Sequence, residues 1–532
     1  MSIASMLKTA LSLAALLIHL AISSSLHASP KAGYVGDRPG DMDPDIAVIP
    51  GEPGINNFFI DYGGRYHYSQ AHAISQLEDG KMLLSGQAGG GASSMALPTR
   101  IAIVQTLANG ERDSSFGDNG VQTIDLSNRW LDVVDALHLT ENLYGSTYNR
   151  VFLLARDFSL GTGDRFALIC QRRVQGTAAY VPCSFPGFDS EGVRYYAFGL
   201  GTFGPGEAQC PDDSRPQRLH LDRTTARIYM VGDTSYYTNL NGCGSRTMAV
   251  IRVGLSGQPD TSFGGSGYVH RFLPHDSGVG PLSGTAYSLA VHSNGKILVG
   301  GGLRNGNGLE HAVVLILNSD GSGDASFCQT DDAACTSFGV YRNGYRGFID
   351  YKEGSIRGLA ASSGQNAYVM QRESDPRMVL RKIDDRGRCT TGCNPHIILD
   401  GTGGVRNPVS LLWTPGDAPD TGYIYRVSWL YFNTNMDRAW VDIARYRSTD
   451  GGLETDREFT TSTPGNVSSQ SITWPNTGSV IPYRFGRVSR IAMDRQGRVM
   501  VAASVRMHNN REGFALARLR GPGSGLFADG FE

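Results

Sequence analysis

Asp79-Gly80-Lys81-Met82-Leu83-Leu84-Ser85-Gly86 is followed by an apolar segment, Arg100-Ile101-Ala102-Ile103-Val104, and then by Asp113-Ser114-Ser115-Phe116-Gly117 with Gly120-Val121. The same order returns as Asn294-Gly295-Lys296-Ile297-Leu298-Val299-Gly300, Ala312-Val313-Val314-Leu315-Ile316 and Asp324-Ala325-Ser326-Phe327. A third copy lies between them, with residues 227–232, then 248–252, then Asp260-Thr261-Ser262-Phe263-Gly264 and Gly267-Tyr268. Self-similarity at a fixed period of tens of residues means one supersecondary unit repeated along the chain. Degenerate copies centre on residues 150–154, 367–370, 423–427 and 498–502. Positions 81, 150, 227, 296, 367, 423 and 498 are then equivalent, which gives seven units of about 70 residues.

Each unit reads as strand, Asp-Gly or Asn-Gly turn, strand, loop, strand, loop, strand. The third strands fall at 101–105, 166–170, 248–252, 313–317, 378–382, 441–445 and 514–518. Several are apolar at consecutive positions, the pattern of a sheet covered on both faces. Four-stranded sheets stacked radially around an axis satisfy this, so the expected fold is all-β, a β-propeller of seven four-stranded blades over residues 54–520. A parallel β-helix, the structural rival, has much shorter rungs than this period. The last unit supplies strands at 488–494, 497–504 and 513–519 but no fourth. Gly54-Ile55-Asn56-Asn57-Phe58-Phe59-Ile60-Asp61 parallels Gly120-Val121-Gln122-Thr123-Ile124-Asp125. Residues 54–61 are therefore expected to complete the final blade and remove the exposed edges of the sheet.

The pattern Asp-Gly-Lys-hydrophobic-Leu-hydrophobic-x-Gly, then an apolar strand, then Asp-x-Ser-Phe-Gly-x-x-Gly-hydrophobic, resembles the delta-sixty repeat family of bacterial secreted proteins. That resemblance implies a β-propeller and carries no common activity or catalytic residues. Unit four departs from it by inserting Cys328 to Cys335 before a second Ser337-Phe338-Gly339, and units two, five and six lack the full signature. The closing Leu526-Phe527-Ala528-Asp529-Gly530-Phe531-Glu532 is similar to terminal tails of other exported bacterial proteins, so residues 521–532 read as a sorting element or a solvated end.

Composition agrees with a folded, turn-rich chain. Of 532 residues 68 are Gly, 18% are charged and 40% are hydrophobic, with 23 Tyr and 21 Phe among them, which excludes wholesale disorder. Forty-eight basic against 50 acidic residues leave a net charge of -2, so no nucleic acid partner and no polybasic membrane patch are expected. Lys8, the apolar run 10–22 and the small residues ending at Ala28 form a secretory signal, residues 1–28, too short in its apolar part to span a bilayer. No later segment is long enough to cross a membrane. The expected location is secreted, periplasmic or at the bacterial cell surface. In an exported chain an even cysteine count reads as disulfides, here four local pairs: Cys170 with Cys183, Cys210 with Cys243, Cys328 with Cys335, and Cys389 with Cys393.

Chemical constellations are sparse. Residues 199–204 match a dinucleotide-binding glycine pattern but sit in a Gly/Pro-rich loop without a following helix. Asp41, Asp43, Asp45 and Glu52 have the spacing of a calcium loop, yet Ile46 stands where the turn needs Gly, so residues 29–53 read as a solvated acidic linker. His72, His138, His220 and His292 fall in or near first strands, which brings some of them toward the central channel. Asp212-Asp213, Asp331-Asp332 and Asp384-Asp385 read as turn formers. No catalytic, cofactor or metal constellation is assigned. The resulting expectation is a monomeric, non-catalytic binding or interaction module for an unidentified ligand or protein partner. The alternatives are an extracellular propeller enzyme, acting on glycans or as a cofactor-dependent oxidoreductase, and a structural surface protein.

Overall fold

The Asp79-Gly80 turn closes a hairpin in which Ser69–Gln76 pairs antiparallel with Met82–Ala88. Gly80 adopts φ +81° and the Asp79 carboxylate accepts the Lys81 amide at 3.2 Å. Arg100–Thr106 and Val121–Asp125 extend the hairpin outward into a four-stranded sheet, blade 1. In the computed structural model the described residues are 43, 45–46, 55–59, 69–89, 99–127, 129–143, 146–158, 164–174, 177–198, 213–238, 242–271, 283–304, 308–326, 338–340, 346–373, 378–387, 397–399, 405–416, 420–431, 439–449, 452–456, 459, 469–472, 490–506 and 512–520. Among them there is no helix. Seven antiparallel sheets of this kind form a ring, a seven-bladed β-propeller. The expected third strands are all present, as Arg100–Thr106, Arg165–Val174, Gly242–Gly254, Glu310–Leu317, Met378–Asp384, Ala439–Thr449 and Glu512–Leu519. Blades 4 and 5 share one long strand, Arg346–Ala361. Its start pairs with Glu310–Leu317 as the outer strand of blade 4, and from Gly354 onward it pairs with Asn366–Glu373 as the inner strand of blade 5.

The ring closes as the sequence predicts. Ile55–Phe59 pairs antiparallel with Glu512–Leu519, in register Ile55 with Ala517 through Phe59 with Gly513, so the outer strand of blade 7 comes from the start of the chain. Asp43 adds an ion-pair lock beside this strand. Its amide donates to the Arg518 carbonyl at 3.0 Å, and its carboxylate accepts Arg518 Nε at 2.6 Å and Arg498 Nη1 at 3.0 Å. Asp43 and Ile46 are buried, which corrects the reading of these residues as a solvated linker. The Asp43 carboxylate, whose spacing resembled a calcium loop, neutralises two guanidinium groups.

Seven hydrophobic clusters fill the seven interfaces between neighbouring blades. Successive residues of one strand serve different interfaces. Leu83 packs toward blade 2, whereas Met82 and Leu84 pack toward blade 7. This is the reason these strands are apolar at consecutive positions.

The two halves of the repeat signature meet in space. Asp113 Oδ1 accepts the Ser115 amide at 3.1 Å and hydroxyl at 2.5 Å, and its Oδ2 pairs with Lys81 Nζ of the hairpin at 2.7 Å. Asp260 holds Ser262 in the same way and pairs with Arg227 Nε at 2.6 Å. Asp324 holds Ser326 and pairs with Lys296 Nζ at 2.9 Å. The following Phe116 and Phe263 are buried in the inter-blade clusters. The glycine after each phenylalanine has positive φ, +54° at Gly117 and +62° at Gly264, and an added Cβ would lie 2.3 Å and 2.4 Å from the carbonyls of Val121 and Tyr268. Blade 6 carries a hidden copy. Asp456 N bonds to Arg445 O and Phe459 N to Asp456 O, both at 3.2 Å, matching Asp113 with Gln105 and Phe116 with Asp113. Arg445 Nε supplies the cation at 2.5 Å.

Two predictions follow from these locks. Burial works against the charge on Asp113, Asp260 and Asp324, but hydrogen bonds from the serine and the cation outweigh it, holding Asp260 at about 2 and the other two below the usual carboxylate range. Because the folded values are depressed, the stabilisation is complete above the unfolded value of about 3.9 and is lost as pH falls toward about 2. Urea midpoints measured from pH 7 down to pH 2.5 should fall most steeply below pH 4, and Asp260→Asn should flatten that limb. The Asp43→Ala variant leaves Arg518 buried without its carboxylate and should cost about 3–5 kcal/mol in chemical denaturation.

Candidate functional site

Among the described residues the inner strands of blades 1 to 6 are each interrupted by a β-bulge. The register shifts between Ala71 and Ala73, Val133 and Asp135, Pro216 and Arg218, Ala286 and Ser288, Ile356 and Gly358, and Pro408 and Ser410. A bulge bends the strand and re-aims the side chains beside it. The residues just past the bulges are Ala73, Asp135, Arg218, Ser288, Gly358 and Ser410. Arg490 takes the same place in blade 7, where its carbonyl accepts the Ala502 amide. Four of these seven are small or lack charge, and three are charged.

The three charged residues meet across the channel. Asp135 of blade 2 is completely buried and accepts Arg490 Nε of blade 7 at 2.8 Å on Oδ1, with Arg490 Nη2 on Oδ2. Its remaining acceptor capacity is taken by the Leu219 amide at 2.7 Å and its neighbour's amide, Ala136 N, at 3.0 Å. Arg490 Nη2 also donates to the Leu219 carbonyl, so blades 2, 3 and 7 are joined at one point. Arg218 of blade 3 approaches Asp135 at 3.8 Å and donates to the Val409 carbonyl of blade 6. Such a carboxylate, satisfied by four donors, has no lone pair left to abstract a proton.

Beside this bridge lies a cavity of about 270 Å³, lined by inner-strand residues of blades 3 to 7. Its polar lining is Arg218, His220, Ser288, Ser410 and Arg490. The remainder is apolar, including Leu289, Leu359, Leu411, Trp413 and Ile491.

Two of the four histidines singled out in the sequence reach this region. His138 Nδ1 and Nε2 each lie 2.7 Å from a hydroxyl, Ser75 Oγ and Ser85 Oγ, and one ring nitrogen donates while the other accepts. Burial, reinforced by the charge of Arg490, pushes His138 down to about 3. Burial and Arg490 likewise push His220 down to about 4, against a partial upward pull from Asp222 and Asp135. His72 is buried at the bulge of blade 1, and His292 lies where the inner strand of blade 4 enters its hairpin turn. Among the described residues no three His, Cys, Asp or Glu side chains form a group that could hold a metal ion.

Cys170 and Cys183 form the expected disulfide, buried at the third strand of blade 2. Cys210, Cys328, Cys335, Cys389 and Cys393 lie outside the described residues, and for Cys243 only the backbone is described. Residues 1–28, Asp41, Glu52, 199–204, Asp212, Asp331-Asp332 and 521–532 also lie outside them. Asp384 is a turn former as expected, its carboxylate accepting the Arg386 amide at 2.9 Å. No helix among the described residues is long and apolar enough to cross a membrane.

Asp135, Arg218 and Arg490 were not singled out by the sequence motifs. Arg490 and Asp135 are 355 residues apart, and neither belongs to the repeat signature. The signal available was a charge inside an apolar inner strand, as in Val133-Val134-Asp135-Ala136-Leu137, read at equivalent positions of all seven units.

Residues 292–327 match the family model described as "Domain of unknown function (DUF5122) beta-propeller". No curated protein matches the chain. Solved structures with a similar architecture include the intramolecular trans-sialidase from Ruminococcus gnavus, 10% identical, with 88% of this chain and 97% of that one covered at a TM-score of 0.35. A Hadza microbial sialidase is 10% identical, covering 80% and 74% at 0.36. The α-L-arabinanase of Penicillium chrysogenum is 9% identical, covering 77% and 97% at 0.35. At such scores none of their chemistry carries over to this chain.

The depressed values of His138 and His220 predict that both stay neutral from pH 8 to pH 5. Their ring proton resonances in an NMR titration should show no inflection in that range, whereas an exposed histidine titrates near 6.5.

Proposed function

We propose that the chain is an exported β-propeller acting as a binding module, with its ligand held in the central channel, and that its repeats are delta-sixty repeats. The observation that carries the binding reading is the bridge of Asp135, Arg218 and Arg490 beside the cavity. Its carboxylate is saturated by donors, an arrangement suited to holding a ligand in place and poor at moving protons. Concave sites with mostly apolar walls and a few convergent polar groups are the usual form of ligand pockets. The buried Cys170–Cys183 disulfide supports an oxidising compartment, and the charged start, apolar run and small residues ending at Ala28 support export.

Expression of the full chain in a bacterial host should yield an exported protein whose N-terminal sequence begins just after residue 28. A thermal-melt screen of that protein against cell-envelope glycans, organic acids and divalent cations tests the binding reading. A ligand present at 100 times its Kd stabilises by about 2.7 kcal/mol. Cytosolic protein retaining residues 1–28 would refute export. Turnover of a substrate that Asp135→Asn abolishes would replace the binding module with an enzyme.

A further inference from the structure

We infer that the channel is a dead-end pocket for a single small molecule, entered only from the face that carries the hairpin turns and closed toward the opposite face by the bridge of Asp135, Arg218 and Arg490. That a ligand occupies the pocket rests on the binding reading, whereas the closure does not. In blades 3 to 6 every lining residue lies past the bulge of its inner strand and before the hairpin turn that follows, at 218–220, 288–291, 358–361 and 410–413. Blade 7 contributes Arg490, which takes the equivalent place, and Ile491. No residue from the other side of a bulge lines the cavity. It therefore begins at the level of the bridge and extends in one direction, toward the turns at 223–226, 292–296 and 362–366. Exposure changes the same way. Asp135 is fully buried and Leu219 is 1% exposed at the bridge, whereas Val291, Ala361 and Trp413, nearest the turns, are partly exposed.

Two guanidinium groups cross the ring at the closed end. Arg218 of blade 3 donates to the Val409 carbonyl of blade 6, three blades away, which is the largest separation a ring of seven allows. Arg490 of blade 7 reaches Asp135 of blade 2 and the Leu219 carbonyl of blade 3. Four blades are thus tied by chords across the channel and not only by contacts along its wall. Swinging either guanidinium aside would strand buried acceptors without their donors, which keeps the bridge shut. On the turn side of the bridge, blades 1 and 2 are joined by His138, held between Ser75 and Ser85, and contribute no lining residue. What is left is a cavity of about 270 Å³ with one open end. That space admits a small molecule, and a polymer cannot thread through it.

The test is alkylation of the full exported chain by iodoacetamide. Ser410→Cys places a reporter thiol on the cavity wall beside the bridge, and mass spectrometry of the peptide that carries it reads the rate. The reporter should react. Filling the turn-side mouth with Ala361→Trp should slow it at least about tenfold, since thiol reactivity follows access. Adding Arg218→Met removes the chord between blades 3 and 6 and should restore most of the lost rate through the opposite face. Melting midpoints show which variants are folded, with Val291→Trp as the second plug and Arg490→Met as the second opening of the bridge. A reporter that fails to react in the otherwise unaltered chain would mean a cavity closed at both ends. One that reacts at full rate behind both plugs would mean entry from the opposite face. Either result overturns the inference. Failure of both bridge variants to restore the rate would place the barrier elsewhere and overturn it as well. Because the reaction needs no ligand, a silent melt screen would count against the binding reading and leave the closure standing.

Discussion

A β-sheet whose two faces are both apolar is unstable until something covers each of them, and in this chain the cover for every sheet is the next sheet. Leu83 faces blade 2 while its neighbours Met82 and Leu84 face blade 7, so no blade can bury its own side chains alone. The ring must therefore close, and the last blade must find an outer strand. Ile55–Phe59 provides it from the far end of the chain. Closure is also where long-range contacts are most exposed to fraying, because the first and last segments meet there. The buried Asp43 with Arg518 and Arg498, together with Ile46 in the cluster between blades 7 and 1, fastens that seam. Arg518 Nη1 reaches onward to the Ala108 carbonyl of blade 1 at 3.0 Å, so one guanidinium ties blade 7 to both Asp43 and blade 1.

The repeat signature has a comparable internal logic. The Lys of the hairpin turn and the Asp of the later loop look like separate motifs in the sequence, 32 residues apart in blade 1, yet they form one ion pair. The Asp in turn organises its Ser into a tight loop and delivers the following Phe into the interface with the next blade. A cation, a carboxylate, a hydroxyl and an aromatic ring thus constitute a single joint. Blade 3 substitutes Arg227 for the Lys, and blade 6 keeps only Asp456 and Phe459 with Arg445 in place of the hairpin cation. The joint tolerates this because what it needs is a charge of the right sign within reach.

That tolerance explains what could and could not be read from the sequence. Blades 1, 3 and 4 were legible because turn glycines and the Asp-x-Ser-Phe loop demand particular residues at fixed spacing. The closing strand was legible because Gly54 to Asp61 parallels the outer strand of blade 1. The blade 6 joint was not, since Asp456 lacks the serine two residues later that marks the loop. The Asp43 spacing resembled a cation loop because alternating carboxylates look alike whether they bind metal or guanidinium. Only the position of Arg518, 475 residues away, distinguishes the two. Two of the four histidines reached the channel region, but the group that dominates it, Asp135 with Arg218 and Arg490, has no local signature at all.

The scaffold and the site accordingly draw on different residues. The motif residues sit in the hairpin turns, outer loops and blade interfaces, and they would be the same for any ligand or for none. The channel is governed by one position per blade, the residue just past the inner-strand bulge, where the repeat imposes no side-chain identity. Ala73, Ser288, Gly358 and Ser410 leave space there, and Asp135, Arg218 and Arg490 fill the rest with charge. The ring brings seven such positions together, and several also hold neighbouring blades: Ala73 packs in the cluster between blades 1 and 2, an added Cβ at Gly358 would lie 2.6 Å from Met370, and Asp135 with Arg490 ties blades 2, 3 and 7. On the proposed binding reading, the charge balance of that ring is the property through which a ligand would be chosen.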